Sequence, residues 1–595
     1  MRFAAGILLA AAAAARDTFH ESLTLHPLPD GKLSVLFEFT TQFDLHHGAG
    51  STHQSHHSLT PPGLLLPLER NKVSELTVSF TSGQWHARRH GEVGPLAYEA
   101  GGGGGSVRGW LRGAPSETDA AWDAVTHAFG GLFCSGVVGA EDSGEAVRTF
   151  GDLYPPARDG ENASHYLVST PHLNLCTENL TPFLSLLPSK GVSGLSALLA
   201  KPGVVLAWGF KTEGIDVVMP TPDAPGSWRG WWEGVVDLVP MRNQARAFTI
   251  HKLFQQPVPH AFPAASSSVI RVVRPRDDRF RSDPAPGRTF QQWMDGRKRT
   301  IDEWDLADVS GSDMGFWWDG EGHFQHPLSF EPPLVTVSRV AADRNAADAT
   351  FIIDITNNAG ADRSVVYSEV WPWWVKGWMG EMTVTVDGKD REDLVRQVEY
   401  MPSVPPTPST TTLHLHLTLP AHSTLRVSIP FTKLTLKYDD HRPDAERGRE
   451  IPAGVLTLLD VEGEDGGSED EDESEGEADV DCRRSSRQHV YAGKLLLDVP
   501  TPDFSMPYNV IIMSSTVMAV FFGSLQGRLV RRWGWVETEP SEDESTGQEQ
   551  GQGQEQERAP ETERLFPVDG KMSYDDMFEE DLNADDTDSD AEEEE

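Results

Sequence analysis

Two cysteines of this chain have a histidine close to them in sequence. His127 lies seven residues before Cys134, and His172 lies four residues before Cys176. A cysteine nucleophile needs a histidine base and an orienting group beside its thiol, and neither neighbourhood carries a known nucleophile pattern. We therefore interpret both cysteines as structural or bridging residues.

Cys482 brings the total to three cysteines in 595 residues. So few cysteines exclude a disulfide scaffold and a cysteine-rich zinc module. In a secreted chain, an odd count means that one thiol stays free or pairs outside the chain.

Histidines are the other residues that could bind a metal. Five of them cluster in one segment, namely His46, His47, His53, His56 and His57. Imidazoles at this spacing can bind zinc or nickel, but Gly, Ser, Thr and Gln surround them, which favours a solvated loop. His414 and His416 share one face of a predicted strand, where a solvent-facing pair explains them better than a metal site. No metal and no cofactor are predicted.

No other motif indicates catalysis. The run Gly101–Gly105 lacks the Gly-Lys-Ser/Thr that completes a phosphate-binding loop, so we expect a flexible loop there. Neither Gly-x-Ser-x-Gly nor His-Glu-x-x-His occurs. The sequence argues against an enzyme. Two other functions remain as alternatives for this sequence. One is an independent lumenal amidase or glycan hydrolase that uses acidic residues, and the other is a lectin-like cell-surface receptor.

Two apolar segments predict how the chain meets the membrane. Residues 1–15 have a basic start and an apolar run that is too short to span a ~30 Å hydrocarbon core, which is typical of a cleaved signal peptide. The segment Tyr508–Gly527 is uncharged and at ~1.5 Å per residue reaches ~30 Å, enough for one crossing. Arg528 and two more arginines follow it, and basic flanks of this kind lie in the cytosol. The residues between the two segments are then lumenal or extracellular.

The formal net charge of −41 is concentrated in two acidic runs. Residues 462–481 contain 12 acidic and no basic residues, and residues 537–595 contain 24 acidic and 3 basic residues. Such runs repel themselves and are disordered in solution. The rest of the chain is only mildly acidic, so nucleic acid is not an expected partner.

Alternating apolar residues dominate the predicted lumenal part. The segments Leu33–Phe39 and Leu413–Leu419 both alternate with a period of two, which predicts antiparallel sheets with one face on a core. Helices are predicted at Ser116–Gly130 and Lys190–Leu199. The fold class is mainly β with some α, with antiparallel β-sandwich modules in the lumen and one C-terminal transmembrane helix.

A Pro/Arg-rich stretch, Pro275–Gly287, suggests the division between two lumenal modules. The predicted segments are a signal peptide (1–15), an N-terminal lumenal β-rich module (16–274), a C-terminal lumenal β-sandwich module (288–506) with an acidic insert (462–481), a transmembrane helix (507–527) and an acidic disordered cytosolic tail (528–595).

Two glycosylation sequons lie in the predicted lumenal part. They begin at Asn162 and Asn179, and both asparagines are predicted acceptors. Pro182 follows the second sequon and makes Asn179 the weaker acceptor.

Four tryptophans lie close together in the segment Trp371–Trp378. Rings at this density are typical of a core or of a contact with a partner protein. We favour these two environments over contact with lipid headgroups.

Several segments resemble the PIG-T family of GPI transamidase subunits. The longest are Leu497–Ile511, which leads into the apolar segment, and Leu175–Phe183, which reads Leu-Cys-Thr-Glu-Asn-Leu-Thr-Pro-Phe. Shorter matches are Glu75–Trp85, Gly131–Cys134 and the opening strand pair from Glu21. They follow the family order from about residue 20 to 530. The acidic insert and the acidic tail depart from the family pattern.

The resemblance implies a non-catalytic scaffold subunit in the endoplasmic reticulum membrane. The complex cuts the C-terminal signal of a preprotein and joins the new end to a GPI lipid, and its cysteine-protease-like chemistry belongs to a caspase-like partner. Other transamidase subunits and membrane lipid are implied partners, with GPI lipid and preprotein contacted indirectly. In the family, the cysteine at the position of Cys176 forms a disulfide to the catalytic subunit. An internal Cys134–Cys176 bridge is the competing interpretation.

Overall fold

The computed structural model describes residues 17–43, 59–83, 102–113, 115–135, 147–148, 153, 163–221, 224–239, 241, 243–294, 297–328, 332–403, 410–436, 448–459, 488–499 and 505–530. The chain divides into two compact units, with the second beginning at Ser505. All described strands belong to the first unit, and the second contains a single described helix.

The first half of the chain contains fourteen described strands. They are β1 (Thr18–Pro27), β2 (Lys32–Phe43), β3 (Val73–Ser82), β4 (Gly104–Arg112), β5 (Val147–Arg148), β6 (Ala163–Thr170), β7 (Phe210–Val218), β8 (Gly226–Asp237), β9 (Phe248–Thr249), β10 (Ser267–Val273), β11 (Phe280–Asp283), β12 (Arg288–Met294), β13 (Arg297–Asp305) and β14 (Gly315–Trp318). Eleven of them form one sheet in the order β12-β13-β10-β1-β2-β8-β7-β3-β4-β6-β5, and the other three form a small sheet in the order β11-β14-β9. Within the large sheet β1 and β10 run parallel, and the other neighbours run antiparallel.

The alternation in β2 places its apolar side chains on the core as predicted. Leu33, Val35, Phe37 and Phe39 are fully buried in the core of the large sheet. The opposite face of β2 is also covered, since Leu36 is buried there against Trp231. The alternation of apolar residues in β2 therefore correctly identified the side that faces the core. It did not predict that the opposite side of the strand would also be buried.

Short helices pack around the large sheet. They are α1 (Pro62–Arg70), α2 (Pro115–Leu132), α3 (Thr177–Leu186), α4 (Pro202–Val205), α5 (Ile250–Phe254) and α6 (Leu306–Val309). The predicted helix at Ser116–Gly130 is confirmed as α2. The predicted helix at Lys190–Leu199 is wrong except for the 3₁₀ turn Leu195–Leu199, because Gly191 and Gly194 have positive φ angles that interrupt a right-handed helix.

The glycine run also differs from the flexible loop that we predicted. Gly101 lies outside the described residues, but Gly104 and Gly105 belong to β4 and pair with Thr81 and Phe80 of β3. The run is therefore in part an ordered strand.

The second half of the first unit is a β-sandwich of thirteen described strands. They are β15 (Val335–Asp343), β16 (Asp348–Asn357), β17 (Arg363–Trp371), β18 (Val375–Gly377), β19 (Thr383–Val386), β20 (Lys389–Asp390), β21 (Val395–Met401), β22 (Thr411–Leu419), β23 (Ser423–Lys433), β24 (Gly448–Ile451), β25 (Val455–Leu458), β26 (Gln488–Tyr491) and β27 (Leu495–Asp498). One sheet of six strands contains β15-β16-β23-β19-β20, with β18 also paired to β23. A sheet of five strands has the order β21-β22-β17-β25-β26, and β24 pairs with β27.

Each half of the first unit has its own apolar core. Trp304, Phe316 and Trp318 still belong to the first core, whereas Val335 opens the second. The predicted division at 275–287 therefore falls inside the first sheet, where β10 pairs with β13 across that stretch. The change of core occurs later, between Trp318 and Val335.

A buried ion pair lies at the centre of the second sandwich. Arg339 on β15 donates to Glu369 on β17, and both side chains are fully buried. Glu369 also accepts from the Tyr367 hydroxyl and from Trp371 Nε1, the latter at 3.1 Å. Arg339 Nη2 donates to the carbonyl oxygens of Pro452 at 2.6 Å and Gly493 at 3.0 Å. One guanidinium thus ties together both sheets and two loops.

The tryptophan-rich segment is divided between core and surface. Trp371 and Trp374 are buried in the second core. Trp378 is 43% exposed and its Nε1 donates to Thr432 Oγ1 at 2.9 Å. The core interpretation holds for the two buried rings.

His414 does not face solvent, so the predicted solvent-facing pair is wrong. Its ring is 3% exposed, and Nδ1 lies 2.8 Å from Ser368 Oγ on β17. Burial, with a smaller contribution from His416, lowers the pKa of His414 to about 4. His416 is more exposed and lies 3.7 Å from a Glu399 carboxylate oxygen.

A second buried histidine lies where the two halves of the first unit meet. His165 on β6 packs against the Trp110 ring, with 5.0 Å between ring centroids. Burial lowers the pKa of His165 to about 3, and the positive fields of Arg108 on β4 and His489 on β26 act in the same direction. His489 belongs to the five-stranded sheet of the second sandwich, and its Nδ1 lies 3.0 Å from Thr457 Oγ1.

The second unit contains a helix of membrane-spanning length, α7 (Ser505–Val530). Its segment Tyr508–Val530 is apolar enough to cross a bilayer, and no part of it is buried. The Ser514 and Thr516 hydroxyls donate to the carbonyl oxygens of Ile511 and Ile512, at 3.0 and 2.8 Å. Bonding of this kind lets hydroxyl residues sit in an apolar helix.

The buried ion pair should contribute far more to stability than a surface pair. Glu369→Ala leaves the Arg339 charge buried without its partner, which should lower the free energy of unfolding by about 3–5 kcal/mol. The exposed pair Arg426–Asp354 provides the matched control, and Arg426→Ala should change stability by less than about 1 kcal/mol. Thermal unfolding of the two purified variants checks this, and equal shifts would contradict it.

Acid should destabilise the fold through His165 and His414. Both pKa values are lower in the folded chain than the ordinary value of about 6.5 in the unfolded chain. The unfolded state therefore binds more protons below pH 6.5, and stability falls as the pH drops from there toward the folded pKa values, by up to about 1.4 kcal/mol per pH unit for each histidine. His165→Asn should flatten the decline in melting temperature between pH 7 and pH 5. The same change at the exposed His251 is the matched control, and a wild-type slope in His165→Asn would contradict the prediction.

Candidate functional site

The segment before α3 is held at a fixed position on the large sheet. Leu175 is buried, and its backbone N–H donates to Ser82 Oγ of β3 at 2.5 Å. Cys176 follows in an extended conformation as the N-cap residue of α3. Its thiol therefore sits where an extended segment ends and a helix begins.

Asn179, three residues after Cys176, holds the junction between the extended segment and α3 in place. Its Oδ1 accepts from the backbone N–H of Cys176 at 3.2 Å and from the Cys176 thiol at 3.4 Å. Its Nδ2 donates to the carbonyl oxygen of Phe133 at 2.9 Å, beside Cys134. One buried amide thus links the start of α3 to the end of α2. Cys176 and Asn179, three residues apart, form a capping-box arrangement. The sequence signature of a capping box is Ser or Thr followed three residues later by Glu or Gln, so these two residues gave no such signal.

The inner face of α3 is anchored in the first core. Leu180 and Phe183 are fully buried, and the centroid of the Phe183 ring lies 6.4 Å from that of the Phe39 ring of β2, with 63° between the ring planes. The outer face is polar and exposed at Thr177, Glu178, Thr181 and Ser185. A helix fixed on one side and solvated on the other presents the thiol at its N-terminus on a rigid support.

Both described cysteines carry free thiols. Cys176 is half-buried and Cys134 is exposed, with Cys134 in a left-handed conformation at φ 48°. Cys482 lies outside the described residues. The internal Cys134–Cys176 bridge, the competing interpretation, is not formed in this structure.

The predicted glycan at Asn179 conflicts with the structure. The residue is 4% exposed, and the nitrogen that would carry the sugar already donates to Phe133 O. A glycan there would have to displace that bond and open the core beneath α3. Asn162, the other predicted acceptor, lies outside the described residues and stays a prediction.

The predicted histidine cluster from His46 to His57 also lies outside the described residues. Within the part of the chain that the structure describes, no three His, Cys, Asp or Glu side chains are grouped so that they could hold a metal ion. His127, the histidine before Cys134, bonds through Nδ1 to the carbonyl oxygen of Asp123 at 2.8 Å on its own helix.

The loop after α3 is fixed by a buried carboxylate that sequence reasoning missed. Glu21 on β1 accepts from the Leu195 backbone N–H at 3.1 Å and from Ser268 Oγ at 2.7 Å. Burial raises the pKa of Glu21 and outweighs these hydrogen bonds. A methyl group at Gly194 would lie 2.5 Å from the carboxylate, so only glycine fits there. A lone glutamate in a predicted strand gave no signal of this role.

We expect Asn179 to carry no glycan in the folded protein, because its amide is buried and bonded. Asn179→Gln should therefore leave the mass removed by enzymatic deglycosylation unchanged. Comparison of the wild type and the variant on a gel, before and after treatment, measures this. Loss of one glycan mass in Asn179→Gln would contradict the geometric argument.

Comparison with known proteins covers most of the chain. The family model described as "Gpi16 subunit, GPI transamidase component" matches residues 3–247 and 240–557. The mouse GPI-anchor transamidase component PIGT is 25% identical over 535 residues, covering 87% of this chain and 90% of its own. The Schizosaccharomyces pombe PIG-T homolog is 26% identical over 542 residues, covering 88% and 91%.

A relative in Saccharomyces cerevisiae, the GPI transamidase component GPI16, is 26% identical over 571 residues and covers 87% of this chain and 89% of its own. Among solved structures, a carbohydrate-binding module of a Clostridium thermocellum scaffoldin matches 23% of this chain and 93% of its own with 11% identity and a TM-score of 0.16, a value too low to support any argument. The family model spans well over half of the chain, and the matched residues include the motifs around Cys176 and before α7. This chain belongs to the Gpi16 family of GPI transamidase components.

Proposed function

We propose that this chain is a non-catalytic scaffold subunit of the GPI transamidase complex and bridges to the caspase-like catalytic subunit through a disulfide at Cys176. The observation that carries the proposal is the free, half-buried Cys176 thiol at the N-terminus of α3. A disulfide requires the Cα atoms of its two cysteines to lie about 4.4–6.8 Å apart. A thiol on a rigid, capped helix keeps a fixed position, which favours a bond to a cysteine of a second protein.

The surroundings of the thiols support a role without catalysis. The His127 ring is engaged by the carbonyl oxygen of Asp123, which turns it toward its own helix. Cys176 makes its described thiol contact with the Asn179 amide, which cannot act as a general base. A cysteine nucleophile depends on an adjacent base, and these contacts favour a bridging thiol.

The proposed topology is that of a single-pass protein of the endoplasmic reticulum membrane. Residues 16–506 are lumenal, α7 spans the bilayer, and residues 528–595 are cytosolic. The length and apolar character of Tyr508–Val530 support the span, and Arg528 at its end supports the orientation because basic flanks favour the cytosolic side. A lumenal location suits a disulfide, since that compartment is oxidising.

The proposed partners follow from the same role. The chain contacts the other transamidase subunits, including the catalytic one, and its helix contacts membrane lipid. GPI lipid and preprotein are indirect partners, which the chain contacts only as part of the assembled complex. The two-core fold of the first unit offers a large folded surface for such contacts.

A non-reducing gel of the affinity-purified complex tests the proposed bridge. Free thiols are alkylated at lysis so that no exchange occurs afterwards. The wild type should give a band at the summed mass of this chain and the catalytic subunit, and reduction should remove it. Cys176→Ser should abolish the band, whereas the matched control Cys134→Ser should keep it because that thiol is not in the bridging motif.

Two other outcomes would count against the proposal. If Cys176→Ser keeps the band and Cys134→Ser removes it, the bridging thiol has been misassigned. If no transamidase subunit co-purifies with the wild type, the scaffold role itself is wrong.

A further inference from the structure

We propose that Lys494 is a positioning residue for Cys176, through which the second sandwich holds the segment that presents the thiol. The proposal rests on the proposed intersubunit disulfide and deepens it. Lys494 lies between β26 and β27, in the other half of the first unit from Cys176. Its role would be to place the thiol, not to react with it.

Lys494 contacts the start of the thiol-bearing segment directly. Its Nζ donates to the carbonyl oxygen of Pro171 at 2.9 Å and to Glu450 Oε2 at 2.7 Å. Pro171 is buried directly after β6, and Cys176 follows five residues later. The ammonium therefore fixes the first residue of a short segment that ends at the thiol.

The same segment is fixed at its far end by the first sheet. Leu175, next to Cys176, donates its N–H to Ser82 Oγ. Between the two anchors, His172 and Asn174 are exposed. Loss of the Lys494 contact removes the support at the Pro171 end, while Leu173 still packs against the first core and Leu175 stays bonded to Ser82. The segment that leads to the thiol is then held less firmly, so the thiol can shift relative to its partner.

The glycine run explains how Lys494 reaches Pro171. Gly102, Gly103 and Gly104 all have positive φ angles, a conformation that glycine adopts without strain. The methylene stem of Lys494 passes Gly103, where an added methyl group would lie 3.4 Å from its Cδ. Gly102 and Gly103, which resembled a flexible loop in sequence, form an ordered turn before β4 that lies against the second sandwich.

Both sides of this turn are closely packed. A methyl group at Gly102 would lie 2.7 Å from Ala453 Cβ and 2.8 Å from the Tyr491 ring, and one at Gly104 would lie 2.4 Å from the carbonyl oxygen of Thr170. Contacts below 3.0 Å cannot be accommodated without movement of the neighbouring backbone. The turn thus sets the spacing between the second sandwich and the end of β6.

The loop that carries Lys494 is itself held from within the second sandwich. Arg339 donates to the carbonyl oxygen of Gly493, the residue before Lys494. The backbone N–H of Ala492 donates to the carbonyl oxygen of Gly454 at 2.8 Å. The lysine therefore projects from a fixed base, as a positioning residue requires.

A disulfide is sensitive to displacement of this kind. Its two Cα atoms must lie within a window of about 2.4 Å, so a shift of the Cys176 segment by that amount lowers the probability of bonding. Lys494 and Glu450 are both about one-third exposed, and ion pairs of this type contribute little to global stability. Loss of position and loss of fold can therefore be separated by experiment.

The test compares Lys494→Met with Lys494→Arg in the full complex. Lys494→Met should lower the disulfide-linked fraction by about threefold or more, because a loosened segment lowers the effective concentration of one thiol at the other. Co-purification of the catalytic subunit after reduction, and the melting temperature, should stay at wild-type values. Lys494→Arg keeps a donor and should restore the linked fraction.

Two control variants sharpen the result. Glu450→Gln removes the ion pair but leaves the Pro171 contact, so it should retain most of the linked fraction. Gly102→Ala should lower the linked fraction as Lys494→Met does, whereas Gly63→Ala should not, because an added methyl group there meets nothing within 4 Å.

The outcomes distinguish this inference from the function on which it rests. A linked fraction unchanged in Lys494→Met, with the band abolished in Cys176→Ser, overturns the positioning role and keeps the bridge. A parallel fall in linkage, co-purification and melting temperature that Lys494→Arg does not rescue also overturns it, because the residue is then structural. A band that survives in Cys176→Ser refutes the bridge itself.

Discussion

The buried pair between Arg339 and Glu369 is the interaction on which the arrangement of the second sandwich depends. Two opposite charges without solvent need additional hydrogen bonds to offset the loss of hydration, and Glu369 accepts from three donors. Arg339 extends the same requirement to the carbonyl oxygens of Pro452 and Gly493. Those two loops meet the first half of the unit, so one buried charge organises both the interior of the sandwich and its outer contact.

The candidate site likewise depends on one polar side chain that makes several hydrogen bonds. The Asn179 amide accepts from the backbone N–H and the thiol of Cys176 and donates to the carbonyl oxygen of Phe133. Helix α3 then has its apolar side on the core and its polar side in solvent. The segment that leads to the thiol is bonded to Ser82 through Leu175 at its far end. At its start, Pro171 accepts a hydrogen bond from Lys494, a residue distant in the sequence.

Local patterns predicted the local features of this fold. The alternation in β2 and in β22 identified the core-facing residues, a helix was correctly predicted at α2, and the apolar length of Tyr508–Gly527 predicted helix α7. Features set by distant contacts were not predictable in this way. His414 is buried beside Ser368 of the neighbouring strand β17, and Gly102 lies against Ala453 and Tyr491. The module division failed because β12 and β13 return to the first sheet. At the candidate site, the family motif predicted a role for Cys176, which stays a prediction. The contact with Lys494 joins residues more than 300 positions apart, so neither segment alone could have predicted it.

The parallel pairing of β1 with β10 has a consequence for biosynthesis. His20 of β1 is matched with Ser267 of β10, so β1 waits for nearly 250 further residues to be synthesised before its second neighbour exists. At about 5–20 residues per second that interval lasts tens of seconds. Throughout it β1 is an open sheet edge, which is a template for wrong pairing. During this interval β1 is most exposed to wrong pairing and chaperones would have most to protect, and the interval ends only when β10 is made.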